Sequence, residues 1–133
     1  MARERLFVEA DTVLLSSAEG GRNTPVLERA YNAGMRIHLV LQDRAIRAPK
    51  IEVRDGHKQV VDEYLSVAFW RGPVPTPIGT PFLLTLNLWI RPFSIYDGCV
   101  PGADFTLREG HRIIGHGEIK RRWLETCEET AIA

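Results

Sequence analysis

The sequence predicts an all-β domain. About six apolar runs of strand length are separated by turns rich in glycine and proline, and no run has the period of a long helix. Strands and helices do not alternate along the chain, which argues against a parallel sheet with crossover helices. The pattern indicates a small antiparallel barrel or sandwich. We favour the barrel because closure leaves no exposed strand edge.

The chain opens with a predicted strand and a long loop. Residues 5–15 alternate loosely between apolar and polar side chains, which is typical of a strand. Residues 16–25 have the composition of a loop. Residues 26–34 lie tightly between Pro25 and Gly34, so we expect an ordered loop there with at most one helical turn.

Three further runs follow in the middle of the chain. Residues 35–42 are rich in apolar side chains and predict a second strand. Residues 46–53 contain a proline, which places this run at a strand start or a sheet edge, and Asp55-Gly56 predicts a hairpin turn. The end of 57–69 alternates as a strand, whereas 59–64 fits a short helix equally well.

The second half carries the clearest strand signals. Residues 70–81 hold four prolines and predict a rigid, extended connector. Residues 82–95 have apolar groups on both parities, which predicts a strand buried on both sides. Residues 104–119 predict a complete β-hairpin, with Glu109-Gly110 as its turn and Gly110 at positive φ.

The chain end is charged. We expect one barrel domain over residues 1–123, followed by a tail over 124–133 that is either a short helix or unpaired. The only dense basic cluster, Lys120-Arg121-Arg122, precedes this tail and is either a solvated strand end or a phosphate-binding patch.

Composition and motifs exclude several function classes. Seventeen basic residues balance seventeen acidic ones, so nucleic acid is not bound by overall charge. No motif for a P-loop, a dinucleotide site, a zinc protease or a serine hydrolase is present, and we predict a non-enzymatic protein without cofactor or nucleotide. His111 and His116 are five apart on a predicted strand and so face opposite sides, which does not suit a shared metal.

Location is predicted from the same features. Cys99 and Cys127 form no metal or redox motif and are expected to be free thiols of a reducing cytoplasm. The N-terminus lacks the apolar segment of a signal peptide, and no apolar run approaches the roughly 20 residues that span a bilayer. We therefore expect a cytoplasmic protein with no membrane partner.

Residues 7–26, which end in the loop Glu19-Gly-Gly-Arg-Asn-Thr-Pro25, and a second segment in the hairpin together resemble the C-terminal β-barrel, the third domain, of bacterial elongation factor Tu. The first segment is similar to that domain's opening strand and its Glu-Gly-Gly-Arg-His-Thr-Pro loop. The other is Leu107-Arg-Glu-Gly-His-Arg-Ile-Ile-Gly-His-Gly117, similar to the family's Ile-Arg-Glu-Gly-Gly-Arg-Thr-Val-Gly-Ala-Gly. Between them, residues 88–98 resemble the family's Leu-Ile-x-Pro-Ile strand and turn.

The resemblance implies a six-stranded antiparallel barrel without the GTPase domain, hence a stand-alone module. In that family the domain contacts the T-stem of tRNA and the nucleotide exchange factor, so tRNA or a translation-related protein is the partner it implies. The contact residues carry over to Arg22 and Asn23 in the loop and to the hairpin tip, Arg108, Glu109, Gly110 and His111.

This chain departs from the family at several contact positions. Gly34 replaces a glutamine that contacts RNA, Asp43 introduces a negative charge, and His111 replaces a glycine. The turns are retained more faithfully than the RNA-contacting side chains. An alternative therefore stays open, in which the barrel is a protein-interaction or regulatory module for an unrelated protein ligand.

Overall fold

A computed structural model describes residues 2–21, 36–41, 51–54, 56–60, 64–110 and 112–128. In these ranges the chain forms eight strands and two short 3₁₀ turns, at Ser17–Glu19 and Phe93–Tyr96. The strands are β1 (Ala2–Leu14), β2 (Arg36–Leu41), β3 (Ile51–Arg54), β4 (His57–Val60), β5 (Leu65–Arg71), β6 (Phe82–Leu88), β7 (Asp104–Glu109) and β8 (Arg112–Glu128).

Six of the strands close into an antiparallel barrel. Their order around the barrel is β1-β6-β5-β2-β7-β8, and β8 returns to pair with β1. Strands β3 and β4 form a separate two-stranded sheet. The predicted all-β class and the six-stranded barrel are confirmed, and closure gives every barrel strand two hydrogen-bonded neighbours.

The core follows the alternation of side chains along each strand. On β1, Leu6, Val8 and Ala10 point inward, and on β6 Leu84, Leu86 and Leu88 do the same. All six side chains are at most 2% exposed. Since neighbours in a strand point to opposite sides, the residues between these positions lie on the outside of the barrel.

The predicted hairpin forms as expected. Strands β7 and β8 pair from Asp104 opposite Glu118 to Glu109 opposite Arg112, and Gly110 at the tip has φ 60°. Asp104, Phe105, Thr106 and Leu107 face β8 in regular register, and a bulge follows between Leu107 and Arg108.

The predicted end of the strand over 82–95 is wrong. The strand predicted over 82–95 ends at Leu88, because Pro92 has no N–H for a ladder and the N–H of Ile90 donates to the Tyr96 hydroxyl at 3.2 Å. The predicted burial on both sides is confirmed for residues 84–88, since Thr85 and Asn87 on the outer parity are buried, whereas Leu83 is 51% exposed.

The tail is wrong as far as it is described. The helix or unpaired segment expected from residue 124 is instead the end of β8, which continues to Glu128. Strand β1 begins at Ala2, three residues earlier than expected, and offers pairing from Leu6 opposite Leu124 to Ala2 opposite Glu128. The backbone N–H and C=O groups of residues 124–128 therefore form hydrogen bonds with β1, whereas in a helix they would form them within the segment itself. Residues 129–133 lie outside the described residues.

The region between β2 and β5 is only partly described. The helical alternative over 59–64 is wrong for its first two residues, which lie in β4 opposite β3. Gly56 has φ 78° in the turn between these strands, as a hairpin requires. The predicted loop over 26–34 and most of the run over 46–53 lie outside the described residues.

Tyr96 fastens the segment after β6 to the barrel. Its side chain is fully buried, and its hydroxyl donates to the Ser66 carbonyl at 2.6 Å while accepting from Ile90 N. Burial raises the pKa of the Tyr96 phenol above its ordinary value of 10.0. The hydroxyl must keep its proton to donate to Ser66.

The free energy of unfolding is therefore expected to fall in strong alkali, because ionisation of the Tyr96 phenol is more costly in the folded protein than in the unfolded chain. Because the folded pKa is raised, this contribution is fully present below pH 10.0 and is lost as the pH rises through the folded pKa. Tyr96→Phe should lose roughly 1.5 kcal/mol of unfolding free energy at neutral pH. In urea unfolding at a series of pH values, the variant should show a smaller alkaline decline than the unchanged protein. Equal declines would assign the alkaline loss to other groups.

Candidate functional site

The outer side of the barrel carries all three tryptophans of the chain. Trp70 lies on β5 next to the core residue Phe69, and Trp89 directly follows the core residue Leu88 at the end of β6. Alternation therefore turns both indoles outward. Trp123 lies on β8 and is half-buried.

Phe7 joins two of these tryptophans. It lies opposite Trp123 across the β1–β8 ladder, and their ring centroids are 5.6 Å apart in a stacked arrangement. The Phe7 and Trp70 centroids are 5.2 Å apart. Phe7 is only 1% exposed although it is outside the core cluster. The two indoles thus cover a phenyl ring that the barrel interior does not hold.

An arginine lies over each tryptophan. The guanidinium carbon is 4.5 Å from the ring centroid for Arg121 over Trp123 and 5.2 Å for Arg5 over Trp70. Arg36 on β2 lies 4.2 Å over Trp89. These are cation–π distances. We call the whole set the aromatic–arginine face; it comprises Arg5, Phe7, Arg36, Trp70, Trp89, Arg121 and Trp123.

A groove opens beside this face. It has a volume of about 240 Å³, and its walls include Phe7, Trp70, Leu83 and Trp123. Acidic side chains accompany the arginines, since Glu9 Oε1 lies 3.4 Å from Arg121 Nε. The groove is also lined by Glu9, Arg71, Thr85, Arg121 and Glu125, so aromatic side chains and charges of both signs share this surface. Aromatic residues and arginine are enriched at protein–protein interfaces.

The predicted contact residue Arg108 is not on the surface. Its side chain is 0% exposed, because it lies outside the barrel wall under Tyr64. Nε donates to Thr106 Oγ1 and Nη1 to the Tyr64 hydroxyl, both at 3.2 Å. Tyr64, which lies over the guanidinium, comes 44 positions earlier in the chain, so no local pattern predicts that Arg108 is covered. Its guanidinium is a structural group in this fold.

The rest of the predicted hairpin tip is accessible in part. Gly110 is exposed at the turn and Glu109 is half-buried on β7. Arg22, Asn23 and His111, the other predicted contact residues, lie outside the described residues. The structure therefore does not bring the predicted set together into one described site.

The predicted basic cluster is divided among three structural contacts. Lys120 Nζ lies 2.9 Å from Glu118 and 3.6 Å from Asp11, and the Glu118 hydrogen bond raises the pKa of this exposed lysine. Arg121 pairs with Glu9, as above. Arg122 Nη1 donates to the carbonyl oxygens of Tyr96 at 2.6 Å and Cys99 at 3.1 Å. A phosphate would have to compete with each of these partners.

The described part of the chain shows no grouping of histidine, cysteine or acidic residues suited to a metal ion. Of the two cysteines, Cys99 is buried and is not in a disulfide. No helix in the described ranges has both the length and the apolar character needed to cross a membrane.

No protein family matches this chain, and no curated protein matches it in sequence.

The sequence alone does not predict the aromatic–arginine face. Trp70 begins a run that indicates a proline-rich connector, and Trp123 lies at the charged end of the predicted barrel domain. One signal was present: Arg3, Arg5 and Phe7 alternate with the inward Leu6 and Val8, a pattern that marks the outer side of a strand with cationic and aromatic groups.

Proposed function

We propose that this protein is a non-enzymatic binding module that docks a partner protein on its aromatic–arginine face. The observation that carries the proposal is that each of the three tryptophans on the outside of the barrel lies under an arginine, and that two of them, Trp70 and Trp123, pack on Phe7. Tryptophan and arginine are the residues most enriched among the energetic anchors of protein interfaces.

The geometry favours an interface for a further reason. Stacking on an indole holds a long arginine side chain in one orientation, so less rotamer freedom is lost when a partner binds. Leu83, which is 51% exposed at the groove, gives the same surface an apolar anchor. The partner expected here presents apolar side chains toward the groove and acidic ones toward Arg5, Arg36 and Arg121.

A protein partner fits the charges better than RNA does. The chain has no net charge, and Lys120, Arg121 and Arg122 already contact carboxylates or carbonyl oxygens. RNA affinity depends on cations that replace the counterions of phosphates. On a surface where acidic residues lie among the basic ones, counterion release adds little affinity for RNA.

A second candidate function is a link to translation, through binding of tRNA. It rests on the resemblance to the third domain of elongation factor Tu and on one described feature, the exposed tip at Gly110 with φ 60°. A glycine there allows the backbone to approach an RNA strand closely. Arg22, Asn23, Glu109 and His111 are the further contacts of this proposal.

One matched pair of variants tests the protein-binding proposal. Leu83→Glu places a negative charge at the groove, and Val100→Glu makes the same change at a 43% exposed apolar residue away from the face. We expect a protein retained from native lysate by the unchanged chain and by Val100→Glu. Leu83→Glu should weaken its binding, measured with the purified partner by calorimetry, by at least about tenfold, or 1.4 kcal/mol.

The tRNA proposal is tested in parallel by filter binding over a salt series. Retention of tRNA at low salt that falls steeply with salt and with Arg22→Ala, and is unaffected by Leu83→Glu, would favour the second candidate. Equal partner binding by Leu83→Glu and Val100→Glu would contradict the docking face.

A further inference from the structure

A small cleft lies at one end of the barrel and shares Arg5 and Trp89 with the aromatic–arginine face. It has a volume of about 140 Å³ and is formed by the start of β1, the end of β6 and the segment that follows. A water occupies about 30 Å³ of liquid, so the cleft has room for a few waters or one small organic ion. Its lining residues are Arg3, Glu4, Arg5, Asn87, Trp89, Arg91 and Phe93.

Two contacts of Arg91 connect the segments that form the cleft. Arg91 Nη2 donates to the Glu4 carbonyl oxygen at 2.6 Å, which ties the segment after β6 to the first residues of β1. The Arg91 guanidinium also lies 4.6 Å over the Phe93 ring. These contacts hold the two sides of the cleft together.

The charge of the lining is positive. Three arginines face the cleft against one glutamate, in a chain whose total charge is zero. A concave site with this local excess attracts an anion and strengthens its hydrogen bonds, because the walls limit the access of solvent.

Unpaired polar atoms are concentrated in the same place. Within the described part of the chain, the buried side-chain nitrogen and oxygen atoms without a hydrogen-bond partner are Arg5 Nε, Asn87 Oδ1 and Trp89 Nε1. All three belong to residues that line the cleft. Native proteins pair almost all buried polar atoms, so three such atoms at one cleft mark a place where a ligand supplies the missing bonds.

The chemistry of these atoms specifies the ligand. Arg5 Nε and Trp89 Nε1 are donors and require an acceptor, which a carboxylate offers in the geometry that the edge of a guanidinium fits. Asn87 Oδ1 is an acceptor and requires an O–H or N–H. Sulfate, which carries no proton at neutral pH, lacks that donor.

We propose that the cleft binds a carboxylate group flanked by an O–H or N–H donor. Two sources share this chemistry, a free hydroxy acid and the C-terminal residue of a peptide. The three atoms are shielded from solvent in this structure, so binding includes a rotation of the Arg5 or Trp89 side chain toward the ligand. The site goes beyond the protein-docking proposal, because a small acid binds there without any partner protein.

The test observes the tryptophan side chains directly. The three indole N–H groups give separate cross-peaks in a ¹H–¹⁵N spectrum, and Trp89→Phe assigns the one from Trp89. Titration with lactate should shift the Trp89 cross-peak saturably at millimolar concentrations, with smaller changes at Trp70 and Trp123. Propionate lacks the hydroxyl and should bind about tenfold more weakly. N-acetylalanine should reproduce the lactate result if the source is a peptide C-terminus, and N-acetylalanine amide should not bind.

Two variants separate the cleft from general anion binding. Arg91→Gln, at an exposed cleft arginine, should weaken lactate binding by about tenfold, whereas Arg71→Gln, at an exposed arginine of the neighbouring groove, should leave it unchanged. Both side chains are exposed, so neither change is expected to disturb the fold. Unchanged indole cross-peaks of Trp70 and Trp123 in each variant would show that the fold is intact.

These experiments test the carboxylate site independently of the proposed protein-docking face. No shift at Trp89 with any of these acids would overturn it. Sulfate binding as well as lactate does would also overturn it. Loss of lactate binding in Arg71→Gln as well as in Arg91→Gln would also overturn it. None of these results depends on whether a partner protein exists.

Discussion

Replacing Gly117 with alanine is expected to destabilise the barrel by about 3 kcal/mol, since a methyl group forced into a packed site costs 1–3 kcal/mol and occasionally more. A Cβ at this position would lie 2.4 Å from the carbonyl oxygen of Asp11 and 2.7 Å from Cζ of Phe105. The Asp11 oxygen belongs to the β1 backbone beside β8, so it moves only if the ladder that closes the barrel is displaced.

The matched control is Gly110, at the turn of the same hairpin. Gly110 has open space around its missing side chain but a φ of 60°, so its constraint is conformational. Gly110→Asn should change stability by less than about 1 kcal/mol, because asparagine tolerates this region. Urea unfolding compares the two variants. Similar losses for both would show that close strand contact is not what requires Gly117.

The second large effect is expected at Arg108. Arg108→Ala should lose about 3 kcal/mol of unfolding free energy, because it removes two hydrogen bonds to a charged group and leaves a void beneath Tyr64. Arg108→Met refills most of that volume without a charge, and we expect it to lose only about 1 kcal/mol.

Arg112 provides the control for Arg108. It is exposed on the neighbouring strand and lies opposite Glu109, so Arg112→Ala should change stability by less than about 0.5 kcal/mol. Thermal or urea unfolding of the three variants gives the comparison. If Arg108→Ala and Arg112→Ala lose equal stability, the buried position of Arg108 makes no energetic difference.

These variants also bear on the two proposed functions. In the tRNA proposal Arg108 belongs to the contact tip, whereas the structure uses its guanidinium inside the protein. Arg108→Met therefore keeps the fold nearly intact and removes the charge. Unchanged binding of any ligand by this variant is the result expected from a structural arginine.

Much of the fold was predictable because strand signals are local. The alternation of Leu84, Leu86 and Leu88 predicted the inner side of β6, and Glu109-Gly110 predicted the hairpin turn. The errors occurred where a distant partner decides the structure. Residues 124–128 are charged and lack alternation, yet they form a strand because β1 extends far enough to pair with them.

The candidate site was much less predictable. Phe7, Trp70 and Trp123 are separated by more than a hundred positions from first to last, and no local pattern connects them. They meet because β1 lies next to β8 while β6 brings β5 within reach. The basic cluster is the opposite case, since three cations that are consecutive in the sequence make three different structural contacts.

The sequence by itself determined the all-β class, the inward side of most strands and the turn at Gly110, because side-chain alternation and glycine conformation are properties of neighbouring residues. Only the tertiary structure decided which outward residues are covered, as Arg108 is, and which are brought into contact, as Phe7, Trp70 and Trp123 are. Burial and stacking depend on which strands lie side by side, and strand order is set by the closure of the barrel as a whole.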